Sequence, residues 1–344
     1  MGPQNLIKPA ENGVRWGVVM TVKEPAALVL TNVLWHLHTG ASAVFVFFDD
    51  PHDPAVNVVQ AVPGCNVQVC DQMYWRKRRP NHGRPHMQMR RQTINANVAH
   101  NRCALDWLFH VDADEFIWQD GDFAGELEAH QNPEVELNIP VLERIFPKAG
   151  QANLFDGLFR VTSDLKEEAA RDAFGLFTGF MKRGQYSHGA GKSGIRVGGG
   201  LRLGVHNATV PGREKWNRAP KQISRTARLL HFDGITPLHG ILKILRHLRT
   251  PPNARNTIPQ AHRQAQVDWM LERSETVTDG VAAHHMLFAL TEDRQARLQR
   301  HGLLCKVPFD PASTIGAEAP DLSPSEFDAD VVRRYPWLRN LIEA

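Results

Sequence analysis

The sequence predicts an α/β protein: a mostly parallel sheet with helices on both faces, followed by a helical C-terminal extension. Three observations carry this. Short β-rich apolar runs alternate with stretches of helical spacing from Gly17 to His110. Acidic residues (Glu24, Asp49, Asp50, Asp112) recur where those runs end. After Asp233 the apolar period becomes helical.

Gly17 to Val22 reads as the first buried strand. Pro25 suits the first turn of a helix, where its missing N–H costs nothing. Leu30, Val33, Leu34 and Leu37 recur at helical spacing, and Gly40 closes that helix. Val44 to Phe48 is a second strand, ending in the polar turn Asp49-Asp50-Pro51-His52-Asp53. Val56 to Val62 and Val67 to Val69 supply a further helix and strand, and Trp75 to Arg84 reads as a basic loop. His86 to Arg102 is the next helix, with Met87, Ile94 and Val98 inward, and the strand Trp107-Leu108-Phe109 follows. This order is that of parallel strands joined by helical crossovers, in which ligands bind beyond the carboxyl ends of the strands. Further strands are expected at Asn138 to Ile145, Ile195 to Val197 and Leu201 to Val205. Ile241, Leu242, Leu245 and Leu248 form one helical face stopped by Pro251-Pro252, with helices near 260–273 and 280–300. The Pro- and Asp-rich tail from Lys306 reads as an extended wrap. A main domain over 14–235 and a helical extension over 236–344 follow.

A chain of 344 residues, 42% hydrophobic and 22% charged, is expected to bury a sizeable core. Its net charge of +3 falls short of a nucleic-acid binder. Cys65, Cys70, Cys103 and Cys305 form no Cys-x-x-Cys, so a structural zinc site is not expected, and reduced thiols in a cytoplasmic protein are. Met1 to Arg15 lacks the apolar run of a signal peptide, and Ala41 to Phe48 is too short to span a bilayer. Peripheral membrane contact stays open, with Arg76-Lys77-Arg78-Arg79 as a solvated loop or as the contact to an anionic surface or acceptor.

The stretch His110-Val111-Asp112-Ala113-Asp114-Glu115-Phe116 places three carboxylates in four positions after an apolar strand. Residues i and i+2 of a strand share a face, so Asp112 and Asp114 are expected to point together, with Glu115 on the other face to orient the loop or bond a backbone N–H. Acids this close repel unless a positive charge sits among them. A hard divalent cation, Mn²⁺ or Mg²⁺, takes oxygen ligands and has positions left for phosphate oxygens. The bland alternative is an acidic turn capping a helix.

The succession Val18-Val19-Met20-Thr21-Val22-Lys23-Glu24, Asp49-Asp50, Arg91-Gln92 and Trp107 to Phe116 resembles family 2-like glycosyltransferases of GT-A (Rossmann-like) fold, in the branch whose signature ends in Asp-x-Asp-Glu-Phe. The resemblance is strongest over 15–120. It continues through Gly191-Lys192-Ser193, Arg196, His206 and His231-Phe232. It implies metal-dependent transfer of a sugar, read as inverting, from a nucleotide-sugar donor to a glycan or lipid-linked acceptor. Thr21, Lys23, Glu24, Asp49, Asp50, Gln92, Asp112, Lys192 and Arg196 are then the expected donor contacts, and Asp112, Asp114, His206 and His231 the metal candidates. This chain departs from the branch in having Glu24 directly after Lys23, and in its Asp49-Asp50-Pro51 turn.

A metal bridging two phosphates would stabilise the charge developing on the leaving nucleotide. Gly191 to Arg196 reads either as a flexible lid in which Lys192 and Arg196 grip a diphosphate or an acidic acceptor, or as a mobile glycine-rich loop with solvated charges. It is not a P-loop, since Tyr186 stands where the first glycine belongs, and no strand precedes its Gly-x-Gly-x-x-Gly spacing. An inverting transferase needs a base, for which Glu143, Asp156 and Asp164 are candidates. The rival readings are a sugar nucleotidyltransferase, disfavoured by the lack of a glycine-rich loop after Val22, and a non-catalytic carbohydrate-binding relative.

Overall fold

A computed structural model describes residues 13–212, 217–249 and 260–338. The chain runs β1 (Trp16–Val22), α1 (Ala26–His38), β2 (Ala43–Phe48), α2 (Val56–Gln60), β3 (Cys65–Val69), α3 (Gln72–Arg78), α4 (Gln88–His100), β4 (Trp107–His110), β5 (Glu115–Gln119), α5 (Phe123–Ala129) and β6 (Glu136–Ile139). Then follow β7 (Val141–Pro147), β8 (Leu158–Val161), α6 (Glu167–Phe174), β9 (Lys192–Arg196), β10 (Lys221–Ile223) and β11 (Ala227–His231). The last part carries α7 (Pro237–Arg249), α8 (Ala261–Arg273), α9 (Val277–Phe288), β12 (Ala289–Leu290), α10 (Glu292–Arg300), β13 (Leu304–Cys305), α11 (Pro311–Ile315) and α12 (Pro324–Arg334).

The chain divides into two compact units. The first runs to Pro140 and adds Ala190–Leu229 and Pro311–Pro320; the second holds Val141–Gly189, Leu230–Asp310 and the chain from Asp321 on. These cuts differ from the expected 14–235 and 236–344. The reason lies in strand pairing: β7 and β8 take β12 and β13 from the C-terminal part as neighbours.

The first unit is mixed α/β, built on a seven-stranded sheet of order β10-β6-β9-β4-β1-β2-β3. Strands β4, β1, β2 and β3 are parallel, as is β10 to β6, while β9 runs antiparallel to both β4 and β6. The central strand β1 is buried along almost its whole length, as expected for a parallel strand covered on both faces. One core layer joins Val19, Phe47, Trp75, Ala96, Leu108 and Ile195. Gly40 ends the α1 turn at φ +105°, a conformation that glycine adopts without steric penalty. In β9, a Cβ on Gly194 would lie 2.2 Å from the Phe109 ring, so glycine lets that ring cross the strand.

In the second unit, β12-β7-β8-β13 form a small sheet, and α7, α8 and α9 pack around Ile241, Met270, Ala283 and Leu287. The tail is not an extended wrap, because Pro324 opens helix α12, which buries Phe327 and Val331. Of the expected loop Trp75 to Arg84, Trp75–Arg78 belongs to helix α3, capped by Asp71, whose carboxylate accepts the Tyr74 N–H at 2.7 Å. The expected strand Asn138 to Ile145 breaks in two at Pro140, which has no N–H to donate. Leu201 to Val205 makes only an isolated bridge, Arg202 to Thr209. The 280–300 segment is two helices parted by β12, and Pro251-Pro252 lies outside the described residues.

Candidate functional site

Asp112 and Asp114 lie in the turn between β4 and β5, and Glu115 is the first residue of β5. The strand-face argument for Asp112 and Asp114 therefore does not apply, and the turn is shaped by other groups. Helix α1 supplies three of them from its buried face. Asn32 Nδ2 donates to the carbonyls of Ala113 (3.1 Å) and Glu115 (2.7 Å). Trp35 Nε1 donates to the Ile117 carbonyl at 3.0 Å. His36 Nε2 accepts the Ile117 N–H at 3.2 Å while its Nδ1–H donates to the Asn32 carbonyl at 2.8 Å. Burial, against that carbonyl, pushes the His36 pKa down to about 4, so the ring is neutral at pH 7. Sequence reading passed over Asn32; a fully buried amide on an apolar helix face was its only signal.

Asp112 is held on both oxygens. Gln92 Nε2 donates to Oδ1 at 2.6 Å, and Lys192 Nζ donates to Oδ2 at 2.8 Å. The same ammonium lies 3.2 Å from Glu115 Oε2, which also accepts the Asp112 N–H at 2.7 Å. Glu115 thus bonds a backbone N–H as expected. Burial opposes charge here, yet Lys192 holds the Asp112 carboxyl well below its ordinary range, and the two acids hold the Lys192 ammonium above its own. Lys192 is fully buried on β9, which corrects the expectation of a mobile loop gripping a diphosphate. Arg196 is likewise occupied: it donates to the His130 carbonyl at 2.9 Å and lies over the Trp107 ring. Gln92, 5% exposed, positions Asp112 rather than reaching outward.

A pocket of about 470 Å³ opens at the carboxyl ends of β1, β2 and β3, lined by Lys23, Asp50, Asp71, Trp75 and Arg84 among others. This is where an α/β sheet binds ligands. Lys23 pairs with Asp50 at 3.3 Å, both partly exposed. Burial opposes it, but the His52 N–H and Lys23 keep the Asp50 carboxyl below its usual value. Asp49 is different. Arg91 grips it through Nε and Nη2, both at 2.9 Å, and Arg84 adds a contact at 2.8 Å. Asp49 lines the same pocket with its charge answered by two arginines. Thr21 Oγ1 accepts from Asn95 at 3.0 Å, and Glu24 begins the loop into α1. Burial pushes the Cys70 thiol up to about 12, so this pocket residue is no nucleophile.

For a hard cation the first unit offers the oxygens of Asp112 and Asp114, with Asp114 8% exposed. Asp112's charge is already answered by Lys192 at 2.8 Å. His206 Nδ1–H donates to the Gly191 carbonyl at 3.2 Å. Metal-binding histidines are oriented in this way. Asp112 and Asp114 supply hard oxygen atoms at this turn, with Lys192 already offsetting the charge of Asp112.

The remaining candidates lie in the second unit. Glu143 is buried, paired with Arg160, and accepts the N–H groups of Tyr186 (2.9 Å) and Ser187 (2.7 Å). It also takes the Ser187 hydroxyl, and that Oγ lies 2.9 Å from His231 Nδ1. Glu143 thus orients His231 through Ser187 and is no candidate base, being closed off from any acceptor. Asp156 closes a turn, accepting the N–H groups of Ala152 (2.6 Å) and Asn153 (2.9 Å). Asp164 forms a two-pronged exposed pair with Arg183 at 2.8 and 3.1 Å. Neither is poised as a base.

The fold and this acidic turn define the class as an α/β protein with a candidate ligand site at its sheet's carboxyl edge. No protein-family model matches the sequence, and no curated protein does. Among solved structures, the chain is similar to TarS 1–349 of S. aureus (12% identity, 95% of this chain and 90% of that one, TM-score 0.33). It is also similar to GalNAc-T7 solved with UDP, GalNAc and Mn²⁺ (9% identity, 95% and 59%, TM-score 0.34). A third is the galactosyltransferase LgtC with donor and acceptor sugar analogues (13% identity, 53% and 58%, TM-score 0.24). At these scores the likeness carries no argument, and the functional reading rests on the residues. Among the described residues no helix is long and apolar enough to cross a membrane.

Proposed function

We propose that this chain is a glycosyltransferase moving a sugar from a nucleotide-sugar to a hydroxyl of a glycan or lipid-linked acceptor, with inversion. The observation that carries the reading is the pocket at the ends of β1, β2 and β3 in the same unit as the acidic turn that follows β4. The nucleoside would take the pocket, with Trp75 as apolar wall, Asp50 accepting from ribose or base, and Lys23 and Arg84 facing phosphate. Asp114 would hold Mn²⁺ or Mg²⁺, and such an ion would neutralise charge on the leaving diphosphate. Lys192 and Gln92 hold Asp112 in one rotamer, which keeps the turn ordered before donor arrives.

The test is a thermal-shift panel of nucleoside diphosphates and their sugars, with Mn²⁺, Mg²⁺ or chelator. A ligand at a hundred times its Kd stabilises by about 2.7 kcal/mol, a shift of several degrees. The hit should weaken in Asp50→Asn. Asp114→Ala should lose transfer while keeping the wild-type unfolding curve. Stabilisation by nucleoside triphosphates with sugar phosphate, and release of pyrophosphate, would instead mark a nucleotidyltransferase. No stabilisation by any nucleotide would defeat both readings.

A further inference from the structure

A second cleft in the first unit, about 590 Å³, has no part in the donor reading. Its walls carry Arg78 from α3, Asn97, Asn101 and Arg102 from α4 and the residues after it, and Arg202 and Thr209 from a short hairpin. No carboxylate lines it. None of the three arginines makes an ion pair among the described residues. Their neighbours behave otherwise: Arg84 and Arg91 are bound to Asp49, and Arg79 donates to the Gly83 carbonyl. Arg78 sits over the Tyr74 ring at 5.7 Å, and its buried Nε–H has no acceptor among the described residues. Arg102's charge acts on the same Tyr74 phenol, so two guanidiniums share one neighbourhood.

The third is held in place by built contacts. Asn97 donates to the Leu203 carbonyl at 2.8 Å and accepts its N–H at 3.1 Å, pinning the hairpin to α4 beside Arg202. Buried His110, two residues before Asp112, donates to the Gly204 carbonyl at 2.7 Å and fixes the same hairpin from beneath. The α4 C-terminus explains a cation at Arg102 through the helix dipole. It does not explain Arg78 or Arg202. Three like charges without counter-ions repel, and a bound anion relieves that repulsion. Guanidinium forks match tetrahedral oxyanions, which accept two parallel N–H bonds.

We infer that this cleft is a binding site for a phosphate-bearing ligand, separate from the nucleotide pocket. It absorbs part of the Arg76-Lys77-Arg78-Arg79 run that sequence reading left between a solvated loop and an anion contact.

The test is calorimetric titration of the whole chain with inorganic phosphate, pyrophosphate and a short linear polyphosphate. The variants are Arg102→Ala/Arg202→Ala and, as a charge control, Arg225→Ala; all three side chains are exposed, so the fold should persist. Polyphosphate affinity should fall at least about tenfold in the double variant, the loss of one to two charge-assisted bonds. It should fall less than about twofold in the control and be unchanged when saturating nucleotide fills the first pocket. Affinity rising with chain length would point to a phosphate-bearing polymer as source, and equal affinity for the simple ion to free phosphate; either supports the site. Equal losses in the double variant and the control, full displacement by nucleotide, or no binding at all would overturn it.

Discussion

Lys192→Met removes the cation that touches both Asp112 and Glu115 among the described residues while keeping most of the buried volume. The wild-type ammonium is fully buried, 2.8 Å from Asp112 and 3.2 Å from Glu115. At an effective dielectric of 20, Coulomb's law gives about 6 and about 5 kcal/mol for charges at those separations. Desolvating the ammonium and two carboxylates offsets much of that attraction, so the intact cluster adds little net stability. Taking away only the cation is another matter, because two close acids stay in place with their desolvation uncompensated. The expected loss is about 3–5 kcal/mol. For a unit of this size that lowers the melting temperature by roughly 10 °C. Circular dichroism with urea and heat measures it, and Asp112→Asn completes a double-mutant cycle. The coupling should reach about 2 kcal/mol, since Asp112→Asn relieves part of the repulsion that Lys192→Met creates. A Lys192→Met loss under about 1 kcal/mol, or strict additivity with Asp112→Asn, would show that the ammonium does not hold this turn.

Asn32→Ala leaves the Ala113 and Glu115 carbonyls without their buried donor, and should cost about 2–4 kcal/mol in urea unfolding and weaken nucleotide binding with it. Asp49→Asn should cost about 3 kcal/mol, because Arg91 keeps its charge in a buried wall; an unfolding curve that matches wild type would reject the clamp. Acidification should destabilise the fold. Burial pushes His36 down to about 4 and His284 to about 3, both below the unfolded value, so the unfolded state takes up protons first. By pH 5 each contributes a loss of about 2 kcal/mol, while Asp328, pushed up to about 6 by burial, returns about 1. Denaturant midpoints from pH 7 to pH 5 should therefore fall, and a flat profile would mean that these rings take up protons when folded.

The first half of the sheet was legible because each of its determinants is local. Apolar runs, Pro25 and Gly40 mark β1, α1 and β2 without reference to the rest of the chain. The acidic turn was legible as a cluster but not as a geometry. Its shape comes from Asn32, Trp35 and His36, some eighty positions earlier, and from Lys192, some eighty later. Lys192 looked like a loop cation because Gly189, Gly191 and Gly194 surround it, and glycine signals turns in isolation. In the fold Gly194 is a strand residue whose missing side chain makes room for Phe109. The candidate bases failed for a related reason: Glu143, Asp156 and Asp164 look alike in sequence, and only packing separates a buried ion pair, a turn cap and a surface pair.

Strand register explains why the internal cation lands where it does. β9 enters antiparallel between β4 and β6, pairing Phe109 with Gly194 and Ile139 with Lys192. Continuing that register past the end of β4 brings Lys192 level with Val111, next to Asp112. Alternation puts Lys192 and Gly194 on the same face of β9, the face crossed by the Phe109 ring. A slip of one residue would turn the lysine to the opposite face and leave Asp112 and Glu115 facing each other. The glycine that admits the ring and the lysine that neutralises the turn are therefore one device: the first fixes the register, and the register delivers the charge. An acidic turn built this way is ordered before any ligand arrives. Whatever binds there meets a net charge already reduced by one.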